Sequence, residues 1–250
     1  MVAQLTGKVA MITGAGSGFG RALSLAFARE GASIGACDIN LATAQETVSM
    51  LESEGGQATV VEVDVSVADQ VDAAVTKIVA AHERIDILVN CAGINGRSSV
   101  VDMDEHDFRR IVEVNVVGTF LTNRAVARQM IAQGTGGKIV NFASGRGLSG
   151  SENNSHYAAS KGGVLAFTYS IGMELSRHGI NVNAINPGQT DTGMTRRPGN
   201  DIQRLESLMG TDVPPHRRVG VPEDVVGPVL FLVTDASSHM YGKYLSARGG

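Results

Sequence analysis

The sequence predicts an α/β fold, a doubly wound parallel sheet with helices on both faces. Short apolar runs rich in Val and Ile recur along the chain, and amphipathic stretches with helical periodicity separate them. Because a crossover between parallel strands needs a dozen or more residues, this alternation favours parallel pairing with a helix in each connection. The chain has 250 residues, of which 43% are hydrophobic, enough for one domain with a large core.

Apolar runs and helical stretches alternate along most of the chain. The predicted strands are 8–13, 33–37, 58–63, 85–90, 138–143, 180–186 and 243–247. The predicted helices are 21–30, 41–54, 69–82, 107–131, 157–178 and 222–235, the last with Pro222 in its first turn. No linker interrupts the series before residue 187 and no repeat of fixed period occurs, so we expect residues 1–250 to form a single domain.

The segment from 188 to 217 differs from the rest of the chain. It is polar, rich in Gly and Pro, and weakly periodic. A loop this long inside a compact domain is usually functional, so we expect a lid over a binding site. A disordered surface excursion is the alternative interpretation.

Composition narrows the classes of partner to small molecules. The net charge of −4 and the pI near 5.9 argue against nucleic acid, since binding a polyanion usually requires a basic excess on one face. Glycines interrupt the N-terminal segment before it could supply the apolar region of a signal peptide, and no run of about 18 apolar residues occurs. We therefore expect a cytoplasmic protein with no membrane partner. The two cysteines, Cys37 and Cys91, fit neither a disulfide framework nor a zinc site, and no metal is expected.

A glycine-rich turn joins the first predicted strand to the first helix. The stretch TGAGSGFG contains Gly14, Gly16, Gly18 and Gly20. Glycines let the backbone approach a pyrophosphate, and the N–H groups and dipole at the start of a helix favour its charge. Asp38 follows Gly20 by 18 residues, near the spacing of the acid that binds an adenosine ribose. This acid would repel a 2′-phosphate and Ser17 offers no compensating charge, so NAD is predicted. The alternative is that Asp38 is a plain strand-end acid with no role in binding.

Tyr157 and Lys161 lie four positions apart in the stretch SHYAASKGG, on one face of a predicted helix. A nearby cation favours the phenolate, which a tyrosine with an ordinary pKa of about 10 needs in order to act as a base. The pair suits hydride transfer between an alcohol carbon and nicotinamide, where a hydroxyl proton must leave or return. Alone, it also fits a half-buried tyrosine beside a solvated lysine.

Two further residues support this chemistry. Ser144 follows a predicted strand at its carboxyl end, where open α/β sheets bind ligands, and its hydroxyl can hold a substrate oxygen. Asn115 lies in an apolar helical pattern, where an amide needs a partner. Alone, Ser144 is an ordinary turn serine and Asn115 a helix-interior amide satisfied by backbone. His156 points about 100° away from Tyr157 on a helix, so we interpret it as a wall or surface residue.

Taken together, these motifs resemble the short-chain dehydrogenase/reductase family in its common single-domain form. The resemblance rests on TGxxxGxG at 13–20, DV at 64–65, NCAG at 90–93, Asn115, Ser144, Tyr157-x-x-x-Lys161 and PGQTDT at 187–192. It implies a Rossmann-type sheet with strand order 3-2-1-4-5-6-7. It also implies an NAD-dependent oxidoreductase that interconverts a secondary alcohol, such as a polyol or hydroxy acid, and its ketone.

The resemblance also implies the roles of individual residues. Tyr157 would be the acid and base, Lys161 would lower its pKa and bind the nicotinamide ribose, Ser144 would orient the substrate, and Asn115 would hold a water in a proton relay. Cofactor contacts would come from Gly14, Gly16, Ser17, Gly18, Phe19, Gly20, Asp38, Asp64, Val65, Asn90, Ala92, Gly93, Tyr157, Lys161, Pro187, Gly188, Thr190 and Thr192. The family also implies a homotetramer.

Two positions depart from the family pattern. Cys91 replaces the second Asn of NNAG, which can cost a hydrogen bond near the cofactor, and Arg248 replaces the acid of DGG, in a region of subunit contacts. The implied strand order puts Cys37 and Cys91 on either side of the first strand, roughly 9–10 Å apart. That distance exceeds disulfide reach, so both thiols should be free.

The sequence leaves several alternatives open for the identity of the substrate. The polar groups available near the expected pocket are Arg97, Arg146, Asn153, Asn154, Arg196 and Arg197. The arginines could hold an anionic group of the substrate or lie in the solvated rim.

Two other functions are alternatives to the alcohol dehydrogenase. One is an NADPH-dependent 3-oxoacyl thioester reductase, against which Asp38 argues, and the other is a dinucleotide-binding sensor or scaffold without catalysis.

Overall fold

A computed structural model of the protein describes residues 3–196, residue 207 and residues 218–247. Its strands are β1 Val9–Thr13, β2 Ser33–Asp38, β3 Ala58–Glu62, β4 Ile87–Asn90, β5 Gly137–Phe142, β6 Ile180–Pro187 and β7 Tyr244–Ala247. They form one parallel sheet in the order β3-β2-β1-β4-β5-β6-β7. This confirms the predicted fold class and strand order, with strand ends displaced by at most two residues from the predicted ones.

The connections contain the helices expected from the periodicity. They are α1 Gly18–Arg29, α2 Leu41–Ser53, α3 Ala68–His82, α4 Glu105–Val112, α5 Gly118–Gln133, α6 Arg146–Ser149, α7 Ser155–Leu175 and α8 Val226–Val233. The helix predicted over 107–131 is divided, because Glu113–Val117 form a π-helical turn between α4 and α5. The single turn α6 has no counterpart in the sequence prediction.

Apolar layers cover both faces of the sheet. The neighbouring residues Met11 and Ile12 belong to different layers, as the two-residue period of a strand requires. Ile12 packs in the layer that includes Phe27 of α1, and Met11 packs in the layer that includes Ile78 of α3 and Val126 of α5. Burial of both faces explains why the strands read as continuous apolar runs.

Parallel pairing brings the carboxyl ends of the strands to one edge of the sheet. In the register, Thr13 of β1 lies beside Asn90 of β4, and Asn90 lies beside Asn141 of β5. The chain leaves β1 toward β2 on one side and β4 leads toward β5 on the other. Open α/β sheets bind ligands in the crevice at such a switch point. The glycine turn after β1 and Ser144 after β5 both lie at this edge.

The predicted lid is only partly within the described residues. Of 188–217, the structure describes 188–196 and residue 207, while Arg197 and also Arg248 lie outside the described residues. The N–H of Gly188 donates to the carbonyl oxygen of Ala247 at 3.0 Å, and Thr190 forms a bridge with Gly220. The start of the segment is therefore attached to the chain around β7 and α8.

The two cysteines are free thiols, as predicted, and the strand order sets the elements that carry them on either side of β1. Burial raises the pKa of the Cys37 thiol to about 12 and also raises that of Cys91. Both therefore stay protonated at neutral pH. Among the described helices, none combines the length and apolar character needed to cross a membrane.

Candidate active site

The glycine turn between β1 and α1 fits closely against its surroundings. Gly14 has a φ of +69°, and a Cβ there would lie 2.9 Å from the backbone nitrogen of Ala92. A Cβ at Gly20 would lie 2.0 Å from the carbonyl oxygen of Gly14. Only glycine allows this approach of α1 to the end of β1. The turn therefore needs its glycines for its own fold as well as for a ligand.

The N-terminal end of α1 faces this turn without a capping side chain. Ser17 is exposed and makes no capping hydrogen bond, and the first turn of α1 has no acidic residue. The first N–H groups of a helix lack partners within it, and the helix dipole attracts negative charge. Beside them, a Cβ at Gly18 would lie 3.5 Å from Cγ2 of Thr192. The cradle of turn and helix end fits the diphosphate of a dinucleotide.

Phe19 points away from this cradle. Its ring lies 5.2 Å from that of Phe142, and it packs against the apolar layer of α1 and α8. A cofactor contact at this position would therefore involve its backbone.

Asp38 is held at the end of β2 by two backbone donors. The N–H of Gly16 donates to Oδ2 at 2.8 Å, and the N–H of Asn40 donates to Oδ1 at 2.9 Å. A carboxylate offers about four acceptor positions, so Asp38 can still accept hydrogen bonds from ribose hydroxyls. The acid is tied to the glycine turn, which is more than a plain strand-end role.

Arg21 takes part in this region although no motif in the sequence indicates it. Its guanidinium donates to the carbonyl oxygen of Gly16 at 2.6 Å, to Oγ1 of Thr47 at 2.9 Å and to the carboxylate of Glu46 at 2.9 Å. Thr47 in turn donates to the carbonyl oxygen of Ala15 at 2.9 Å. Arg21 thus fastens the turn to α2, and Glu46 balances its charge.

The predicted adenine contacts lie after β3. Oδ1 of Asp64 accepts hydrogen bonds from the N–H and the hydroxyl of Ser66, at 2.9 and 2.6 Å. Val65 is buried, and a Cβ at Gly118 would lie 2.8 Å from its Cγ2. The segment is therefore locked against the start of α5.

Asn90 belongs to a buried amide network that the sequence did not indicate. Its Nδ2 donates to Oδ1 of Asn141 at 2.9 Å, which also accepts from Nδ2 of Asn123 at 2.9 Å. Nδ2 of Asn141 donates to Oγ1 of Thr168 at 3.0 Å, and all four side chains are buried. Nδ2 of Asn90 is therefore engaged in this network.

Asn115 is fully buried in the π-helical turn. Its Oδ1 accepts from the N–H of Ile94 at 2.8 Å, and its Nδ2 donates to the carbonyl oxygen of Ile94 at 2.9 Å. Nδ2 also donates to Oγ of Ser160 on α7 at 3.0 Å. The amide therefore joins the loop after β4 to α7, and π turns recur at functional sites. A Cβ at Gly93 would lie 3.0 Å from Oδ1 of Asn115, so Gly93 lets this loop approach it.

Ser144 and Tyr157 meet at the carboxyl end of β5. Oγ of Ser144 accepts from the N–H of Arg146 at 3.3 Å. Burial raises the pKa of Tyr157, while its hydrogen bond with the Ser144 side chain and the positive charge of Arg146 act in the opposite direction. The phenol therefore keeps its proton at neutral pH in this structure.

Lys161 is buried beside Tyr157. Its side chain is 5% exposed, Nζ donates to the carbonyl oxygen of Phe142 at 2.7 Å, and Nζ lies 5.8 Å from the centre of the Tyr157 ring. Burial lowers the pKa of Lys161 to about 8. In this structure the lowering of the Tyr157 pKa expected from Lys161 is not found, because the ammonium turns to the strand carbonyl and burial disfavours both charged forms.

The substrate side of the site is built around Asn154, at the start of α7. Asn154 is 1% exposed, and its Nδ2 donates to Oδ1 of Asn95 at 2.7 Å and to the carbonyl oxygen of Gly96. Its Oδ1 accepts from Nη1 of Arg146 at 2.9 Å. His156 is buried behind the loop, with Nε2 close to Gly96, so it is a wall residue.

The other polar candidates face solvent or make other contacts. Arg97 and Asn153 are exposed. Arg196 pairs with the carboxylate of Asp191 at 2.6 Å. Pro187 ends β6 at the same sheet edge, and Gly188, Thr190 and Thr192 follow it. The N–H of Thr192 donates to Oγ1 of Thr195 at 2.8 Å. In the part of the chain that the structure describes, no group of three His, Cys, Asp or Glu is arranged to hold a metal.

Comparison with known proteins agrees with this geometry. Residues 8–203 match the family model for short chain dehydrogenases. The chain is 36% identical to (3R)-3-hydroxyacyl-CoA dehydrogenase of Homo sapiens, covering 99% of this chain and 96% of that protein. It is 35% identical to 2-dehydro-3-deoxy-D-gluconate 5-dehydrogenase of Escherichia coli, covering 98% and 96%. A crystal structure of a short-chain type dehydrogenase/reductase from Mycobacterium marinum matches with a TM-score of 0.89 and 34% identity, covering 100% of this chain and 97% of that one.

Burial of Lys161 predicts a pH dependence of stability. The pKa of Lys161 is about 8 in the folded protein, against an ordinary value of 10.5. Between these values the unfolded chain holds more protons, so the free energy of unfolding rises with pH. From roughly pH 8 to pH 10, we expect the free energy of unfolding of the unmodified protein to rise by about 2 kcal/mol more than that of Lys161→Met. Chemical denaturation measures both.

The control for this measurement is Lys77→Met. Lys77 also donates to a strand carbonyl, that of Val60 at 3.0 Å, but it is exposed. This variant should keep the pH slope of the unmodified protein. Equal slopes for the unmodified protein and Lys161→Met would show that the ammonium of Lys161 is not destabilised by burial.

Proposed function

The chain belongs to the short-chain dehydrogenase family, and from that premise we propose that it transfers a hydride between NAD and a secondary alcohol or its ketone. Membership makes it an oxidoreductase that acts on hydroxyl and keto groups. The observation that carries the finer proposal is the meeting of Ser144, Tyr157 and Lys161 at the sheet edge that also bears the glycine turn and Asp38.

Each of the three residues has a distinct task in this proposal. The Ser144 hydroxyl, which lies within hydrogen-bond reach of Tyr157, holds the substrate oxygen beside the phenol. Tyr157 takes the hydroxyl proton during oxidation and returns it during reduction. Lys161 carries the positive charge that favours the phenolate of Tyr157. To do so its ammonium must interact with more than the Phe142 carbonyl oxygen that it binds in this structure. The cofactor, when bound, accepts or donates the hydride.

Asp38 is the basis for proposing NAD rather than NADP. Its remaining lone pairs can accept hydrogen bonds from ribose hydroxyls, and its charge opposes a 2′-phosphate. Arg21, the cation next to the turn, is already paired with Glu46 and is a poor partner for that phosphate. Ile39, which is 66% exposed, adds an apolar surface beside Asp38 on which an adenine ring can pack.

The remaining cofactor contacts follow the same edge of the sheet. We assign the diphosphate to the turn Gly14–Gly20, the adenine to Asp64 and Val65, and the adenosine ribose to the backbone of Asn90, Ala92 and Gly93. The nicotinamide half would meet Pro187, Gly188, Thr190 and Thr192. Asn115 would support a proton relay through its position between the loop after β4 and α7. The lid over 188–217 stays part of the proposal.

A second function, an NADPH-dependent 3-oxoacyl thioester reductase, is favoured by the similarity to a hydroxyacyl-CoA dehydrogenase. It would use the same serine, tyrosine and lysine. Asp38 argues against its cofactor, and the relative strength of NADH and NADPH binding separates the two functions.

We also propose a homotetramer in the cytoplasm. The quaternary proposal is supported by apolar side chains on α5 and α7, where Phe120 is 40% and Met173 70% exposed. Phe120 packs edge-to-face against Phe167 of α7 at 6.2 Å, so the two helices present a joint apolar face. Such faces commonly mark contacts between proteins.

The function is tested with Tyr157→Phe, which removes the acidic hydroxyl and keeps the ring. Turnover of a panel of secondary alcohols, followed as reduction of NAD, should fall by about 100- to 10,000-fold, the usual contribution of a general acid or base. NADH binding should stay within about threefold, since the hydroxyl is the only group lost.

Tyr169→Phe is the matched control, because Tyr169 lies on the same helix, three turns farther along. It should keep full activity. Undiminished turnover in Tyr157→Phe would exclude the proposed acid and base, and a protein that binds NADH but oxidises no alcohol would be a sensor or scaffold.

The cofactor proposal is tested with Asp38→Asn, which removes the charge and keeps an acceptor oxygen for one of the two N–H groups, of Gly16 and Asn40, that the carboxylate binds. The unmodified protein should bind NADH at least about tenfold more tightly than NADPH, and the variant should reduce this ratio about tenfold, because one charge repulsion is lost. Isothermal titration measures both affinities. Glu62→Gln, which removes an acid at the paired position of β3, should leave the ratio unchanged. Tighter binding of NADPH by the unmodified protein would refute the proposal.

A further inference from the structure

We infer that Arg146 binds a carboxylate of the substrate, which makes the substrate a small hydroxy acid or its keto acid rather than a neutral polyol. This inference rests on the proposed function, because it concerns the same site. It assigns one of the arginines that the sequence left open.

Arg146 has a preset position beside the reacting groups. It begins α6, two residues after Ser144, and its backbone N–H donates to Oγ of Ser144 at 3.3 Å. Its Nη1 donates to Oδ1 of Asn154 at 2.9 Å. Asn154 is itself 1% exposed and is fixed by hydrogen bonds to Asn95 and Gly96. A buried, fully engaged amide therefore orients the guanidinium of Arg146, which is itself exposed to solvent.

The guanidinium keeps capacity for an anion. An arginine side chain has five N–H donors in a planar fork, and one nitrogen of Arg146 is engaged by Asn154. Among the described residues, no carboxylate forms an ion pair with Arg146. Arg21, Arg196 and Arg218 differ in this respect, since each is paired with an acid.

The charge of Arg146 also acts on the reacting group itself. It is one of the influences on the proton affinity of Tyr157, so guanidinium and phenol lie in the same electrostatic neighbourhood. Arg146 is two residues from Ser144 and its N–H donates to Oγ of Ser144, so an anion bound by Arg146 would lie near a carbinol held by Ser144 and Tyr157. A short hydroxy acid carries both groups.

Charge and distance favour a carboxylate over a phosphate. A single guanidinium balances one negative charge, whereas a phosphate monoester carries close to two at neutral pH. The phosphates of a coenzyme A thioester are separated from the reacting carbonyl by the whole pantetheine arm, too far for Arg146. The fork geometry of arginine matches the two oxygens of a carboxylate.

The test compares 2- and 3-hydroxy acids of about three to six carbons with their primary amides, which have nearly the same shape and no charge. NAD reduction is measured for the unmodified protein, Arg146→Gln, Arg146→Lys and Arg97→Gln. The control is Arg110→Gln, which removes an exposed charge from α4. We expect kcat/KM for the acids to exceed that for the amides by at least about tenfold. Arg146→Gln should lose about 10- to 100-fold on the acids, mainly through KM, and less than about threefold on the amides.

Arg146→Lys keeps the positive charge but loses the contact with Asn154, so we expect it to retain part of the activity on acids. This result would separate the loss of charge from the loss of the contact. The inference is wrong if Arg146→Gln lowers acid and amide activity equally, if Arg97→Gln produces the acid-specific loss instead, or if amides are preferred. It is also wrong if the only alcohols that react are secondary alcohols without a carboxylate, and Tyr157→Phe abolishes their turnover. In that case the proposed function stands. If no secondary alcohol reduces NAD, the proposed function fails and the inference fails with it.

Discussion

The hydrogen bond from Nζ of Lys161 to the carbonyl oxygen of Phe142, 2.7 Å long, is the contact on which the geometry of the candidate site depends. It joins α7 to the last residue of β5 and so determines where Tyr157, one turn earlier on α7, meets Ser144, two residues beyond β5. The same contact buries an ammonium group, which lowers its pKa to about 8. The protein therefore holds a destabilised charge at the position where the proposed chemistry requires one.

Buried polar groups connect the loops that follow three neighbouring strands. Asn115 pairs with Ile94 after β4 and with Ser160 on α7, and Thr13 of β1 accepts a hydrogen bond from the N–H of Ala92 at 3.2 Å. Buried donors and acceptors without partners are costly, so loss of one contact leaves another group unsatisfied. The glycine turn, the loop after β4 and the start of α7 consequently behave as one structural unit.

Local sequence pattern was sufficient for the strands, most helices and the residues of the family motifs, because strand and helix periods are properties of neighbouring residues. The π-helical turn was not predictable, since it depends on Asn115 reaching Ile94, 21 residues earlier. Arg21 and Asn141 were missed for the same reason: their partners lie on other elements and no local pattern marks them. Arg146 was one of several equivalent arginines in the sequence, and only its contact with the buried Asn154 distinguishes it.

We propose that Tyr157 keeps its proton in the free protein and releases it more readily when the positive charge of the oxidised cofactor enters the site. The ultraviolet absorbance of the phenolate, taken as the difference between the unmodified protein and Tyr157→Phe, measures this directly as a function of pH. We expect a midpoint above the ordinary value of 10.0 without cofactor, and one lower by about one pH unit or more with NAD⁺ but not with NADH. A midpoint that NAD⁺ leaves unchanged, or one well below the ordinary value in the free protein, would contradict it.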